Sequence, residues 1–184
     1  MIAKAKNSEK RYLRFDIHQR IQHIMMFVSF IGCTISGLPI RYYETFWAHY
    51  IVAMFGGFDN MFAFHLGMAA LMLLCSAYHL IYLIVLAFRG QWSWATIPTP
   101  KDIKDLYDSL RFFIGKTDKL SRFERYSYKE KFDYWAVFWG MVIIGGSGLM
   151  LWFPEITAQY VPRWVLQSAR IAHSDEAMLA ILAI

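Results

Sequence analysis

Residues 61–88 read MFAFHLGMAALMLLCSAYHLIYLIVLAF, twenty-eight positions without one Asp, Glu, Lys or Arg, and the first charge after them is Arg89. About 20 apolar residues in a helix cross the hydrocarbon core of a bilayer, so this stretch is long enough to span with some tilt. Its only ionisable ring nitrogens belong to His65 and His79.

Three further apolar stretches flank it. One runs from about Ile21 to Ile40 and ends near Gly37-Leu38-Pro39, where proline can stop a helix. Another covers about 134–153 and stops at Pro154; the last begins after Pro162-Arg163 and covers about 165–184. The composition agrees: 57% of the 184 residues are hydrophobic, 18% aromatic and only 18% charged. A chain this short cannot bury so much apolar surface in a core of its own. The expected fold is an all-α membrane protein, a four-transmembrane-helix bundle forming one domain over 1–184. Length caps the spans at about four, which excludes a large transporter, and no internal repeat is evident.

The connections differ in character. Residues 41–60 carry Phe46, Trp47, Tyr50, Ile51, Met54 and Phe55 at three- and four-residue spacing, the pattern of an interfacial amphipathic helix. Residues 89–131 form a polar loop with ten Lys or Arg against six Asp or Glu. Within it, Pro98-Thr99-Pro100-Lys101-Asp102 signals a turn into a short helix, with Thr99 or Pro100 near its start and Asp102 and Asp105 in its first turns.

Charge sets the orientation. The first twenty residues hold six Lys or Arg and the large loop ten, so sixteen of nineteen lie on one side of the expected bundle. By the positive-inside rule that side is cytoplasmic. The N-terminus is then inside, the loop 89–131 is cytoplasmic, and the net charge of +5 is a topology signal, with no nucleic-acid partner needed. The basic N-terminus also lacks the apolar core of a secretory signal. Cys33 and Cys75 lie in apolar stretches outside any C-x-x-C or C-x-x-C-H pattern, which removes support for structural zinc or covalent haem.

Four of six histidines fall within the spans: His23, His65, His79 and His173. Ionisable groups at membrane depth are costly and mark function. His65 and His79 are fourteen residues apart, nearly one helix face and about 21 Å along the axis. With the N-terminus inside, His65 and His173 share the outer depth, and His23 and His79 share the inner one. Imidazoles from different helices at matched depth are what six-coordinate b-type haem requires. Zinc would want Cys or carboxylate company, and a proton relay would recruit carboxylates at depth, where only Asp175 and Glu176 qualify. Arg20, Arg41 and Arg89 stand where spans meet water, placed for haem propionates or lipid headgroups. Small residues such as Gly32, Ser36, Gly37, Gly67 and Gly148 would admit a porphyrin or a neighbouring helix equally well. His18 and His49 read as interfacial.

The order of these motifs resembles a family. Arg20-Ile21-Gln22-His23 leading into Ser36-Gly37-Leu38-Pro39, then His65-Leu66-Gly67, the run Arg125 to Lys131 followed by Tyr134-Trp135, Gly148 to Pro154, and His173 are similar to the di-haem cytochrome b subunits of membrane-bound formate dehydrogenases (gamma subunit) and nickel-iron hydrogenases. The resemblance covers almost the whole chain. It implies two non-covalent haem b groups, electron transfer across a bacterial or archaeal cytoplasmic (inner) membrane, and quinone as mobile carrier. The implied partner is an iron-sulfur or catalytic oxidoreductase subunit or a periplasmic cytochrome, with no substrate chemistry expected of the chain alone. The family also implies a second fourth-span histidine at about position 187, beyond Ile184, so the expectation is a longer natural protein. His79 then either completes the inner haem or contacts a propionate or quinone. The alternative reading is a haem-free membrane anchor that docks a soluble catalytic partner.

Overall fold

The structure, a computed structural model, describes residues 15–118, 121–123 and 125–183. Most of the basic N-terminal segment and Ile184, the expected end of the fourth span, lie outside the described residues. Among those residues the chain is all helical, with seven α-helices: α1 (Ile17–Arg41), α2 (Phe46–Met54), α3 (Phe58–Phe88), α4 (Pro100–Phe113), α5 (Tyr128–Trp152), α6 (Pro154–Tyr160) and α7 (Arg163–Ala183).

Local chemistry starts three of them. At α1, Asp16 accepts from the Gln19 N–H at 2.8 Å while the Gln19 side chain accepts from the Asp16 N–H at 3.1 Å. At α5, Ser127 and Glu130 exchange the same reciprocal bonds. At α4, Thr99 caps with Asp102, and Pro100 fills the first helical position, where its missing N–H has no intrahelical partner to lose. This is the start read from the sequence. α1 runs past Pro39 by two residues, and the Tyr42 N–H still closes on the Leu38 carbonyl. A proline this near a C-terminus forfeits one bond without breaking the helix. Between α2 and α3 the chain turns on Gly56 and Gly57 at φ 78° and 124°, left-handed backbone that side chains resist.

Among the described residues three helices are long and apolar enough to cross a membrane: α1, α3 and α5. The expected fourth span corresponds to α7, which has the length but carries Arg163, Arg170, Asp175 and Glu176 and does not share that apolar character. α3, at 31 residues, is about 46 Å long against a hydrocarbon core of about 30 Å, so it tilts or protrudes. The stretch expected as an interfacial amphipathic helix contains α2, which is apolar on nearly every side: Ala48 is buried while Phe46 and Met54 are exposed.

The layout is two antiparallel hairpins, α1 with α3 and α5 with α7, each closed by a short helix, α2 or α6, at one end. The loop with α4 joins them at the other, here the loop end. Within each hairpin packing is extensive; between hairpins it is sparse, limited to α1 with α7 and α3 with α5. The α1 face toward α3 is drawn by buried small and polar residues one heptad apart, Gln22, Ser29 and Ser36, with Gly32 between them against Met68.

Candidate functional site

The sparse seam between hairpins is where the histidines meet. His65 projects from α3 and His173 from α7, both half-buried, with ring centres 6.4 Å apart and planes at 74°. The hydrogen bonds fix their tautomers. His173 Nδ1 lies 3.0 Å from the Ile144 carbonyl, a group that only accepts, so Nδ1 carries the proton. The Ser147 hydroxyl is 3.3 Å from the same nitrogen and donates its own proton to the Ile143 carbonyl at 2.5 Å. On the other hairpin the Ser36 hydroxyl donates to the Gly32 carbonyl at 2.7 Å and accepts from His65 Nδ1 at 3.0 Å. In both rings Nδ1 is a donor, so the lone pair resides on Nε2, which bonds no group among the described residues.

Glycine makes room for each ring. A Cβ at Gly37 would stand 3.2 Å from His65 Cε1, and one at Gly148 would stand 3.0 Å from His173 Cε1. The two half-sites are thus built alike. A Ser-Gly-Leu stretch on the first helix of each hairpin (36–38 and 147–149) supplies the hydroxyl and the gap, and the second helix supplies the histidine.

This donor set fits haem iron. Two imidazoles bound from opposite sides of one metal through bonds of about 2 Å stand with centres about 6 Å apart, and neutral imidazoles held by Nδ1–H present Nε2 as ligand. Arg41 lies beside the pair, its guanidinium 2.7 Å from Asp175 and 2.6 Å from Ser174, next to His173 in sequence.

The other expected pairing does not form. His79 is held by Gln22, whose Oε1 accepts from its Nδ1 at 2.9 Å, and by Tyr134, whose hydroxyl lies 3.1 Å from its Nε2. Both nitrogens are occupied. His23, one residue past Gln22, is turned 100° away on α1; its ring is exposed and stacks on Phe15 at 6.4 Å. Depth matched these two histidines, but helical phase points Gln22 at His79 in place of His23. Arg20 bonds the Phe15 carbonyl and Arg89 caps the end of α3, both at the loop end and away from the His65–His173 pair. His18 meets Tyr78 at 2.7 Å, and His49 packs on Tyr43. The sequence reading gave Ser147, Gln22 and Tyr134 no role, and the signal available for Ser147 was the repeated Ser-Gly-Leu.

A helical membrane protein carrying facing imidazoles with free Nε2 lone pairs has the features of a membrane b-type cytochrome. The family is specific: residues 14–184 match prokaryotic cytochrome b561, and the chain belongs to that family. Membrane association, b-type haem and electron transfer follow from that membership. No curated protein matches the chain.

Proposed function

We propose that the chain is a di-haem cytochrome b subunit of the kind found with formate dehydrogenases and nickel-iron hydrogenases, passing electrons between a periplasmic redox subunit and the quinone pool. The observation that carries the reading is the matched pair His65 and His173, each with Nδ1 as donor and Nε2 available, on opposite sides of one seam. They are the residues that would hold one haem, with Arg41 toward its propionates. A second haem would take its place at the loop end, with His23 among the residues that would hold it. His79, its nitrogens taken by Gln22 and Tyr134, would reach a propionate or quinone by exchanging one of these bonds, and Arg20 and Arg89 stand at the same end. Haem, when bound, supplies one-electron exchange; the protein's residues hold it, fix its depth and exclude water. The charge distribution supports a cytoplasmic loop end in an inner membrane and the His65–His173 pair near the periplasm.

The test uses the purified full chain in detergent. A dithionite-reduced b-type absorption band and a pyridine haemochrome count of two per chain are expected, with reduction of the haem by a quinol analogue. Absence of the band overturns the reading in favour of a haem-free anchor, and reduction by dithionite but not by quinol removes the quinone role.

The glycine half-site gives a sharper expectation. Gly148→Val forces methyl groups into the space of the His173 ring, and overpacking of this kind costs about 1–3 kcal/mol. Haem affinity at that site should fall about tenfold or more. Gly146→Val on the same helix, where a Cβ meets nothing within 4 Å, should leave it unchanged. Equal haem occupancy in a titration of both variants would mean that Gly148 does not seat the ring.

A further inference from the structure

α4 is inside out for a helix on a soluble surface. Asp105 and Ser109, at 5% and 1% exposure, face the protein. Asp105 accepts from Ser121 at 2.8 Å and pairs with Lys101 at 3.1 Å, and Asp102 meets the buried ammonium of Lys131 at 2.9 Å. The opposite side carries Ile103, Leu106, Tyr107, Leu110, Phe113 and Ile114, exposed from 43% at Leu106 to 73% at Ile103. At 100° per residue these six fall within a stripe about 120° wide, with Asp105 and Ser109 about 140° and 100° from its centre.

We propose that α4 lies on the surface of the bilayer, with this stripe among the acyl chains and its cationic margin against anionic headgroups. Three observations select lipid over protein. First, the helix is fastened to the place where the chain enters the membrane: Lys131 is in the first turns of α5, and Trp135 Nε1 donates to the Thr96 carbonyl at 3.1 Å. Second, Lys104 and Arg111 project along one edge of the stripe, Arg111 lies over the Tyr107 ring at 5.8 Å and Lys129 over Phe113 at 5.6 Å, and the loop 89–131 has ten Lys or Arg against six acids. Third, Trp92 and Trp94 are exposed just past the end of α3, at the level where indole rings settle in membranes. Fourteen residues give a helix about 21 Å long, too short to cross and suited to lying flat.

The experiment places a nitroxide label at Leu110→Cys or Asp108→Cys, in the full chain with Cys33→Ser and Cys75→Ser, reconstituted in nanodiscs. The Leu110 label should be relaxed by oxygen, which partitions into lipid, and shielded from a water-soluble nickel chelate; the Asp108 label should show the reverse. In discs containing phosphatidylglycerol the Leu110 contrast should exceed that in phosphatidylcholine alone, and Lys104→Gln with Arg111→Gln should abolish the difference. Chelate access at Leu110 equal to that at Asp108 would overturn the proposal. Shielding from both reagents would also overturn it, by showing that a protein or a second copy covers the stripe. Indifference to phosphatidylglycerol would overturn the anionic contact. Because the serine pair touches Cys75, which donates to the Gln22 carbonyl, unlabelled wild-type chain provides a second measurement. Its 100–113 amides should exchange about tenfold more slowly in phosphatidylglycerol discs than in detergent, and equal rates would count against the assignment.

Discussion

His173→Ala should remove one haem per chain and leave the helices folded. The ring contributes the one available Nε2 on α7 facing His65, and its Nδ1–H is already committed to the Ile144 carbonyl, so no described neighbour can take its place. The haemochrome count should fall from two to one, with helical circular dichroism unchanged and the remaining haem still reduced by quinol analogue. His65→Ala should give the same count, because either ligand alone leaves the iron open on one face. His173→Met is the informative companion: it retains a ligand, and exchange of imidazole for thioether raises the midpoint potential of that haem alone. Retention of both haems by both alanine variants would remove the assignment of this pair, whereas loss of both haems from His173→Ala with loss of helicity would report unfolding in place of ligation.

Much of this arrangement was legible beforehand because the bilayer imposes a coarse, one-dimensional order. Runs of apolar residues gave α1, α3 and α5 within a few positions of their ends, and counting residues from each end put His65 and His173 at one depth. Depth advances by about 1.5 Å per residue and tolerates small errors; phase advances by 100° and does not. The inner pairing failed on that difference. Gln22 and His23 are equivalent in depth, but the heptad Gln22, Ser29 and Ser36 marks the face of α1 that meets α3, and His23 is off it. The fourth apolar stretch corresponds to α7, which has the length of a span but carries Arg170, Asp175 and Glu176 in its middle. Aromatic residues are dense in 41–60, but density is not asymmetry: α2 is apolar on nearly every side, and the two-faced helix is α4, whose polar side faces the protein.

The two hairpins share a plan that the sequence states only in three residues. Ser36-Gly37-Leu38 and Ser147-Gly148-Leu149 each lie on the first helix, and each serves the histidine of the second. A serine in a helix commonly returns its proton to a carbonyl one turn back, and both do so here, which leaves the oxygen as an acceptor. In the first hairpin that local habit sets the His65 tautomer, and in the second the Ile144 carbonyl sets that of His173 with the Ser147 hydroxyl beside it.

Lys131→Met should release α4 while leaving the hairpins in place. The ammonium is 3% exposed and its partner Asp102 is 13% exposed, so the pair is shielded from water on both sides. Burial pushes the Asp102 carboxyl up, but the hydrogen bonds from Lys131 and Thr99 outweigh it and hold it below the usual carboxylate value. A group depressed on folding contributes its stability above the unfolded pKa and loses it as pH falls through the folded one, so at pH 7 the contribution is fully present and fades only below about pH 4. Removing the ammonium leaves a buried carboxylate supported by Thr99 alone, which costs about 3 kcal/mol, the low end for a broken buried pair. That is a factor of about 100 in the opening equilibrium of α4. Amides 100–113 should exchange about 100-fold faster by mass spectrometry, with those of α1 and α3 unchanged. Adding Asp102→Asn removes the stranded charge while keeping an acceptor for the Thr99 cap, so the double variant should recover to within about tenfold of wild type. Equal exchange in wild type and Lys131→Met would show that the remaining bonds of α4, from Ser121 and Lys101, hold the helix without the pair.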